Sequence, residues 1–294
     1  MRERFIYHRF NGESEARVVQ AVAIVEEYAA DGYRLTLRQL YYQFVARDLI
    51  PNTKKSYDSL GSLISNARLA GRIDWDAIED RTRSFKSHSY DTDPVSSLLS
   101  VAEYFELDPW ESQEVKVEAW IEKDALLGVL QRACRMYGVP YFSCRGYPSQ
   151  SAIYEAANRH KEYKKRVIVL HLGDHDPSGV DMTRDIAERL ELFGSDAEVR
   201  RIALTMEQVD ELKPPPNFAK VTDTRSPLYV KRWGKRSWEL DALPPQYVEQ
   251  LVNEAVKKEL DEEAWNDVLI EADEIRKSIV CEWIQAGLVF RVLW

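Results

Sequence analysis

The stretch RVIVLHLGDHDPSG, residues 166–179, joins an uninterrupted apolar run to a turn that carries two carboxylates. A run of this kind is typical of a strand that is buried on both faces of a parallel sheet. Asp174 and Asp176 would follow the carboxyl end of that strand, where ligands bind in such sheets. The same residues also suit an ordinary loop, because Asp caps a following helix and Pro and Gly shape a turn.

Strand and helix patterns alternate on both sides of this run. The strand patterns cover 115–122, 139–144, 166–173 and 198–205, and the helix patterns between them cover 124–138, 149–163 and 178–194. This order predicts an α/β fold with a parallel sheet covered by helices on both faces. Glu122 would end the first strand, at a place where a turn does not require an acid.

Three carboxylates, Glu122, Asp174 and Asp176, are therefore expected to converge on one crevice at the sheet edge. Carboxylates on turns, with no cysteine pair or paired histidines at ligand spacing, suit Mg²⁺ rather than zinc. Such an ion can clamp a phosphodiester. His171 and His175 lie nearby but are weak indications of ligation. A receiver domain also clusters acids, but its acidic pair near the first strand and its late lysine are missing.

The N-terminal part reads as three helices, at 14–30, 36–48 and 55–70, with Thr36 as the N-cap of the second. A short extended piece at 72–75 follows them. Helix–turn–helix plus a short hairpin is the outline of a winged helix, of the CAP-like kind. A plain three-helix bundle fits the same pattern, and periodicity alone does not separate the two.

Three units are predicted along the chain. They are a winged-helix domain at 1–105, the parallel sheet at 106–215, and a C-terminal extension at 216–294. Within the last unit, the basic aromatic stretch 229–245 leads into a helical tail at 246–290. The stretch WELDALPP (238–245) and its helical tail are interpreted as surface packing, with a dimerisation or partner element as the alternative.

Composition limits the partners. The formal net charge is −9, but residues 1–90 carry +2 and the remaining residues −11. A locally basic N-terminal face is compatible with DNA binding that is modest and salt-sensitive. Three scattered cysteines indicate a reducing, cytoplasmic setting. Since no run of about eighteen apolar residues occurs, we expect no membrane span.

Four motifs resemble one known family. VEAWIEKDALL (117–127) resembles the glutamate motif of a Toprim domain, RGYPSQSA (145–152) its [KR]GYP segment, and LHLGDHDPSGVDM (170–182) its DxDPxG motif. RQLYY (38–42) is similar to the R-x-[LIV]-[YF]-Y context of a winged-helix tyrosine. Their order and spacing, over roughly residues 30–205, resemble the A subunit of topoisomerase VI, which is related to the meiotic double-strand-break transesterases.

The resemblance implies a winged-helix domain followed by a Toprim domain, and a role for each matched residue. Tyr42 would be the nucleophile, Arg38 a phosphate-facing helper, and Glu122, Asp174 and Asp176 the magnesium ligands. The enzyme would cleave double-stranded DNA and leave a 5′-phosphotyrosine. In the family, the tyrosine of one protomer works with the acids of the other, which implies a homodimer. Full topoisomerase activity would require an ATPase subunit of the B type in trans.

Helix phase offers an independent test of which tyrosine matters. Tyr41 lies on the apolar stripe of the predicted helix, whereas Tyr42 is rotated by about 100° and shares a face with Arg38. A guanidinium at that position favours the ionised phenol. Two other functions remain open: a Toprim nuclease that hydrolyses DNA through metal-activated water with Tyr42 structural, and an inactive DNA-binding module.

Candidate contacts to the DNA backbone are basic residues near these motifs. On or near the third helix they are Lys54, Lys55, Arg68 and Arg72, for which a solvated helix face is an equal interpretation. Lys123, beside Glu122, and Arg145, before the Gly-Tyr-Pro turn, would contact the scissile phosphate.

Overall fold

The computed structural model describes residues 2–79, 94–218, 223 and 225–285. Its helices are α1 (Gly12–Ala30), α2 (Leu37–Ala46), α3 (Lys54–Leu69), α4 (Pro94–Glu103), α5 (Leu127–Met136), α6 (Gln150–Tyr163), α7 (Pro177–Leu192), α8 (Met206–Leu212), α9 (Ser226–Trp233), α10 (Pro245–Lys257) and α11 (Glu262–Gln285). Its strands are β1 (Val115–Ile121), β2 (Tyr141–Ser143), β3 (Arg166–Leu172), β4 (Glu198–Ala203), β5 (Asn217–Phe218) and β6 (Arg236–Ser237).

The first three helices form where the sequence predicts them. Thr36 caps α2: its hydroxyl accepts from the Gln39 backbone N–H at 3.2 Å, and the Gln39 side chain accepts from Thr36 N–H at 2.9 Å. This reciprocal capping box satisfies two donors at the helix start. Ile24, Phe44 and Leu60, one from each helix, are buried together in the N-terminal core.

The prediction of an extended piece at 72–75 is wrong. The chain turns after α3, and Trp75–Ala77 forms a short 3-10 turn that Asp74 caps by accepting from Asp76 N–H at 2.9 Å. Arg68 holds this turn by donating to the Trp75 carbonyl at 2.8 Å. Local capping thus outweighs strand propensity, and no hairpin follows α3 within the described residues up to 79. The winged-helix assignment stays a prediction.

The central sheet has the predicted parallel topology. Its strand order is β2-β1-β3-β4, and every neighbouring pair is parallel. The register places Trp120 opposite His171 and Ile121 opposite Leu172, so β1 and β3 end side by side. All four strand patterns read from the sequence correspond to strands of this sheet, which confirms the α/β fold class.

Helices cover both faces of the sheet, as predicted. Val117 and Ile168 lie in one core together with α5 and α10. Val167 and Val169 lie in a second core with α6 and α7. Alternate residues of β3 thus supply opposite faces, as the strand period requires.

The C-terminal segment is part of this architecture. Val248, Val252 and Val256 of α10 are fully buried in the core shared with α5 and the sheet. The predicted tail at 246–290 is two helices, α10 and α11, and its residues 286–290 lie outside the described residues. Within the described part of the chain, no helix has the length and apolarity that a membrane span needs.

Candidate functional site

The loop between β3 and α7, residues 173–176, carries two of the predicted acids, and we call it the acid loop. Asp176 caps α7, accepting from Gly179 N–H at 2.6 Å and from the Ser178 hydroxyl at 2.9 Å. Asp174 is buried, and its Oδ1 accepts from Leu240 N–H at 2.8 Å. Asp176 therefore has the capping role that the loop interpretation assigns to it, while Asp174 binds a distant part of the chain.

Glu122 joins these acids from the end of β1. Its Oε2 accepts from Asp174 N–H at 2.8 Å. Glu122, Asp174 and Asp176 line one cavity of about 530 Å³, which we call the acid cavity. Burial raises the pKa of Glu122 and of Asp174, and each is raised further by a neighbouring carboxylate. The sequence-predicted convergence of three acids is present.

A divalent cation fits this donor set in kind, because carboxylate oxygens are its preferred ligands and crowded acids are stabilised by positive charge. Within the described residues, no three His, Cys, Asp or Glu side chains stand ready as a ligand group. Lys123 instead neutralises the site, with its Nζ 2.9 Å from Asp174 Oδ2. Glu122, Asp174 and Asp176 would hold Mg²⁺ once the ammonium leaves Asp174.

Lys123 also contacts two further acids, which were not predicted from the sequence. Its Nζ lies 2.9 Å from Glu239 Oε2 and 3.5 Å from Asp241 Oδ2. Both acids also pair with Arg38, whose Nε lies 3.0 Å from Asp241 Oδ2. In the sequence, the only sign of them is an alternation of acids with apolar residues in WELDA (238–242).

The two tyrosines differ in their partners rather than in burial. Tyr41 is 5% exposed and Tyr42 is 3% exposed. The Tyr41 hydroxyl donates to Asn52 Oδ1 at 2.8 Å and to the Thr53 carbonyl at 3.2 Å. The Tyr42 hydroxyl accepts from Asn217 Nδ2 at 3.4 Å. Helix phase placed Tyr42 off the apolar stripe, but the residue is buried in the N-terminal core, into which Ala242 also packs.

The ionisation of Tyr42 is suppressed in this structure. Burial raises the pKa of the phenol to about 12, and the charge of Glu239 adds to the effect. Arg38, whose guanidinium lies 5.9 Å from the ring centroid, lowers the pKa as expected but by less. The chain alone thus does not activate this hydroxyl.

Tyr42 nevertheless lies beside the acids. It lines a second cavity of about 290 Å³, the tyrosine cavity. Arg38, Asn217 and Glu239 line both this cavity and the acid cavity. Asn217 Nδ2 donates to Glu239 Oε1 at 3.0 Å, so a continuous set of polar contacts connects the phenol to Lys123 and the acids.

Arg201 of β4 holds the acid loop, and no pattern in the sequence indicates this role. Its guanidinium donates to the carbonyls of Gly173 and Gly179, each at 2.8 Å, and also to that of Asp174. Burial lowers the pKa of Arg201 to about 10. Because carbonyls of the loop and of the first turn of α7 accept from one side chain, Arg201 ties the loop to the start of that helix.

The predicted DNA contacts on α3 fall into two groups. Lys54 and Lys55 are exposed, have no carboxylate partner among the described residues, and Lys54 lines the tyrosine cavity. Arg72 pairs with Glu15 at 3.0 Å. Arg68 stacks on Trp75, with its guanidinium 4.5 Å from the ring centroid.

The two basic residues predicted to meet the scissile phosphate are also placed differently from each other. Arg145 is largely exposed, and its Nε lies 3.2 Å from Asp124 Oδ1. Lys123 is mostly buried among carboxylates. Lys123 thus belongs to the acid cavity, whereas the guanidinium of Arg145 remains at the surface.

The motif 145–152 packs against the acid loop and α7. The Tyr147 hydroxyl donates to Asp181 Oδ2 at 2.8 Å and to the Ser178 carbonyl at 3.1 Å. Three of the four motifs thus supply residues that line the two cavities, and the motif 145–152 contacts Ser178, which lines the acid cavity. Comparison with known proteins found neither a matching family model nor a matching curated protein.

Proposed function

We propose that this chain is a Mg²⁺-dependent DNA-cleaving transesterase of the topoisomerase VI A-subunit type, with Tyr42 as its nucleophile. The observation that carries the proposal is the shared lining of the tyrosine and acid cavities by Arg38, Asn217 and Glu239. A phosphodiester that spans the two cavities would meet the phenol on one side and the acids on the other.

The reaction exchanges one ester for another. The Tyr42 oxygen bonds to phosphorus while the bond from phosphorus to the 3′ oxygen breaks. The phenol loses its proton, and the departing 3′ oxygen takes one up. The bond energy is retained in the phosphotyrosine, so the strand can be resealed. Mg²⁺, when bound, would stabilise charge on the phosphate oxygens.

The chain's own residues position the reactants. Arg38 contributes a cation beside Tyr42, and Asn217 orients the phenol oxygen through its amide. Lys123 can stay paired with Glu239 and Asp241 when Asp174 turns to a metal, because it already contacts both. Arg38 and Lys123 are thus the cations nearest to the proposed phosphate position, and each is paired with Glu239 and Asp241.

A second function is favoured by one observation. Tyr42 is almost fully buried, and its pKa is raised to about 12. Both features suit a structural tyrosine in a nuclease that hydrolyses DNA with metal-activated water. The transesterase requires DNA binding to draw the phenol toward the phosphate, whereas the nuclease does not.

The test is to incubate the protein with supercoiled plasmid and Mg²⁺, denature it, and look for protein on 5′ ends. Tyr42→Phe should abolish the adduct, Asp174→Asn should abolish all cleavage, and Tyr41→Phe should retain both. Cleavage that persists in Tyr42→Phe without an adduct selects the nuclease. Absence of cleavage in the wild type, with an ATPase partner supplied, rejects both.

The proposed partners follow from this chemistry. Double-stranded DNA is the substrate, and a homodimer would break both strands. ATP-driven strand passage would require a separate ATPase subunit of the B type.

A further inference from the structure

The segment Tyr229–Arg236 carries four cations and no carboxylate. Lys231, Arg232, Lys235 and Arg236 are all exposed, and together we call them the basic patch. Such a concentration of one sign is notable in a chain whose formal net charge is −9.

The charges of the basic patch are available to an outside partner. In the part of the chain that the structure describes, no ion pair engages Lys231, Lys235 or Arg236. Elsewhere, surface arginines pair with acids: Arg166 lies 2.6 Å from Glu198. Among the described residues, these three cations therefore neutralise no neighbouring carboxylate.

The basic patch is fixed rigidly to the acid loop. Tyr229 donates its hydroxyl to the His175 carbonyl at 2.8 Å and lies 3.1 Å from the Arg236 carbonyl. His175 and Trp238 exchange two backbone hydrogen bonds, at 2.8 and 2.9 Å. His175 lies between the two acids of the loop, so the patch and the loop form one unit.

The basic patch also adjoins the acid cavity. Arg236 is followed directly by Ser237, which lines that cavity. At the tyrosine cavity, Lys54 supplies an exposed cation of its own. Cations thus accompany both cavities that are proposed to receive the phosphodiester.

We propose that the basic patch is a contact surface for the phosphate backbone of duplex DNA, which guides a strand into the acid cavity. This inference rests on the proposed function. Lysine ammonium groups on an anchored surface suit a repeating phosphate backbone without sequence preference. The patch would therefore set affinity and register rather than sequence choice.

The experiment compares two triple variants by fluorescence anisotropy with a labelled 30-base-pair duplex, at several salt concentrations and without Mg²⁺. The test variant carries Lys231→Gln, Lys235→Gln and Arg236→Gln. The matched control carries three changes at exposed lysines elsewhere: Lys161→Gln, Lys257→Gln and Lys258→Gln. Both remove three positive charges, so long-range electrostatics change equally.

The test variant should bind the duplex roughly tenfold more weakly than wild type, and the salt dependence of log K should flatten by about 2.7. The control should stay within about twofold of wild type. Thermal melting of both variants checks that they fold.

Three outcomes overturn the proposal: wild type that does not bind the duplex, equal affinities of the two variants, or displacement of DNA by polyglutamate at equal charge. The last outcome would assign the patch to an acidic polypeptide. Wild type that binds DNA in this way but forms no adduct on plasmid removes the transesterase and leaves the DNA surface standing.

Discussion

Lys123 Nζ lies 2.9 Å from Asp174 Oδ2, so a lysine ammonium pairs with a buried acid of the candidate site. The same ammonium contacts Glu239 and Asp241. It therefore links the end of β1, the acid loop and the segment before α10. Lys123 thus holds together the three parts of the chain that supply these acids.

Replacing Lys123 by glutamine should destabilise the protein and make it respond to Mg²⁺. The change leaves buried carboxylates without their cation, which lowers the free energy of unfolding by about 3 kcal/mol. Mg²⁺ binds only the folded acids and should restore part of this loss. Thermal melting with and without Mg²⁺ measures both effects.

The exposed Lys258→Gln is the matched control and should melt like wild type. If Mg²⁺ raises the melting temperature of Lys123→Gln no more than that of wild type, the cation and the lysine do not compete for the same carboxylates. If Mg²⁺ raises the melting temperature of neither protein, the acid cavity is not the metal site.

Tyr42 should make adduct formation strongly dependent on pH. The raised pKa, about 12, means that only a small fraction of the phenol is ionised at neutral pH. If the phenolate is the nucleophile, as we propose, the rate should rise roughly tenfold per pH unit between about pH 7 and pH 9. Single-turnover adduct formation on labelled duplex measures this slope. A plateau already near neutral pH would mean that bound DNA reverses the effect of burial.

Gly179 should be indispensable to the acid loop. A Cβ there would lie 2.3 Å from the Asp174 carbonyl oxygen and 3.0 Å from Glu122 Oε2, so the backbone must shift. Gly179→Ala is expected to lower the free energy of unfolding by about 2 kcal/mol and to abolish cleavage. Gly12→Ala, where no heavy atom lies within 4 Å, is the control and should change neither property. Normal cleavage by Gly179→Ala would show that the reaction does not depend on the conformation of the acid loop.

The parallel sheet and its acids could be predicted because their signals are local. β3 is an uninterrupted apolar run, and a buried parallel strand requires one. Parallel strands end at the same edge, so Glu122 and Asp174 converge once the strands are correctly assigned. The loop residue Asp176 was equally predictable as a helix cap.

The rest of the site depends on contacts between distant residues. Glu239 follows Asp174 by 65 positions and reaches it only through Lys123. Tyr42 is buried in the N-terminal core, which the distant residue Ala242 also enters, and its hydroxyl meets Asn217, so no helix period within α2 can reveal its surroundings. Local capping at Asp74 likewise replaced the predicted extended piece.

Glu118 should be a stabilising residue without a role in cleavage, although it lies four positions before Glu122. It is buried, and Arg159 donates to both of its oxygens at 2.9 Å. Burial alone would raise the pKa of Glu118, but His160 and Arg159 outweigh it and lower the pKa to about 2. Glu118→Gln is expected to cost about 3 kcal/mol at neutral pH.

The contribution of Glu118 to the free energy of unfolding should depend on pH. Because the pKa of Glu118 is lower in the folded chain than its ordinary value of 4.5, its contribution is present above that value. It is lost as the pH falls toward about 2. The free energies of unfolding of wild type and Glu118→Gln, measured by urea titration, should converge as the pH falls from 4.5 toward about 2. Parallel curves would assign the acid sensitivity to other groups.

Mixing Tyr42→Phe protein with Asp174→Asn protein should not restore adduct formation. One chain lines both cavities, and Arg38, Asn217 and Glu239 join them, so each proposed site takes its tyrosine and acids from the same copy. A dimer of the two variants then contains no intact site. In the arrangement implied by the topoisomerase VI resemblance, the same dimer would keep one intact site and attach to a single strand. Wild type mixed with tagged Tyr42→Phe shows by co-purification whether copies exchange. Single-strand adducts in the variant mixture would therefore place the partner's acids opposite Tyr42.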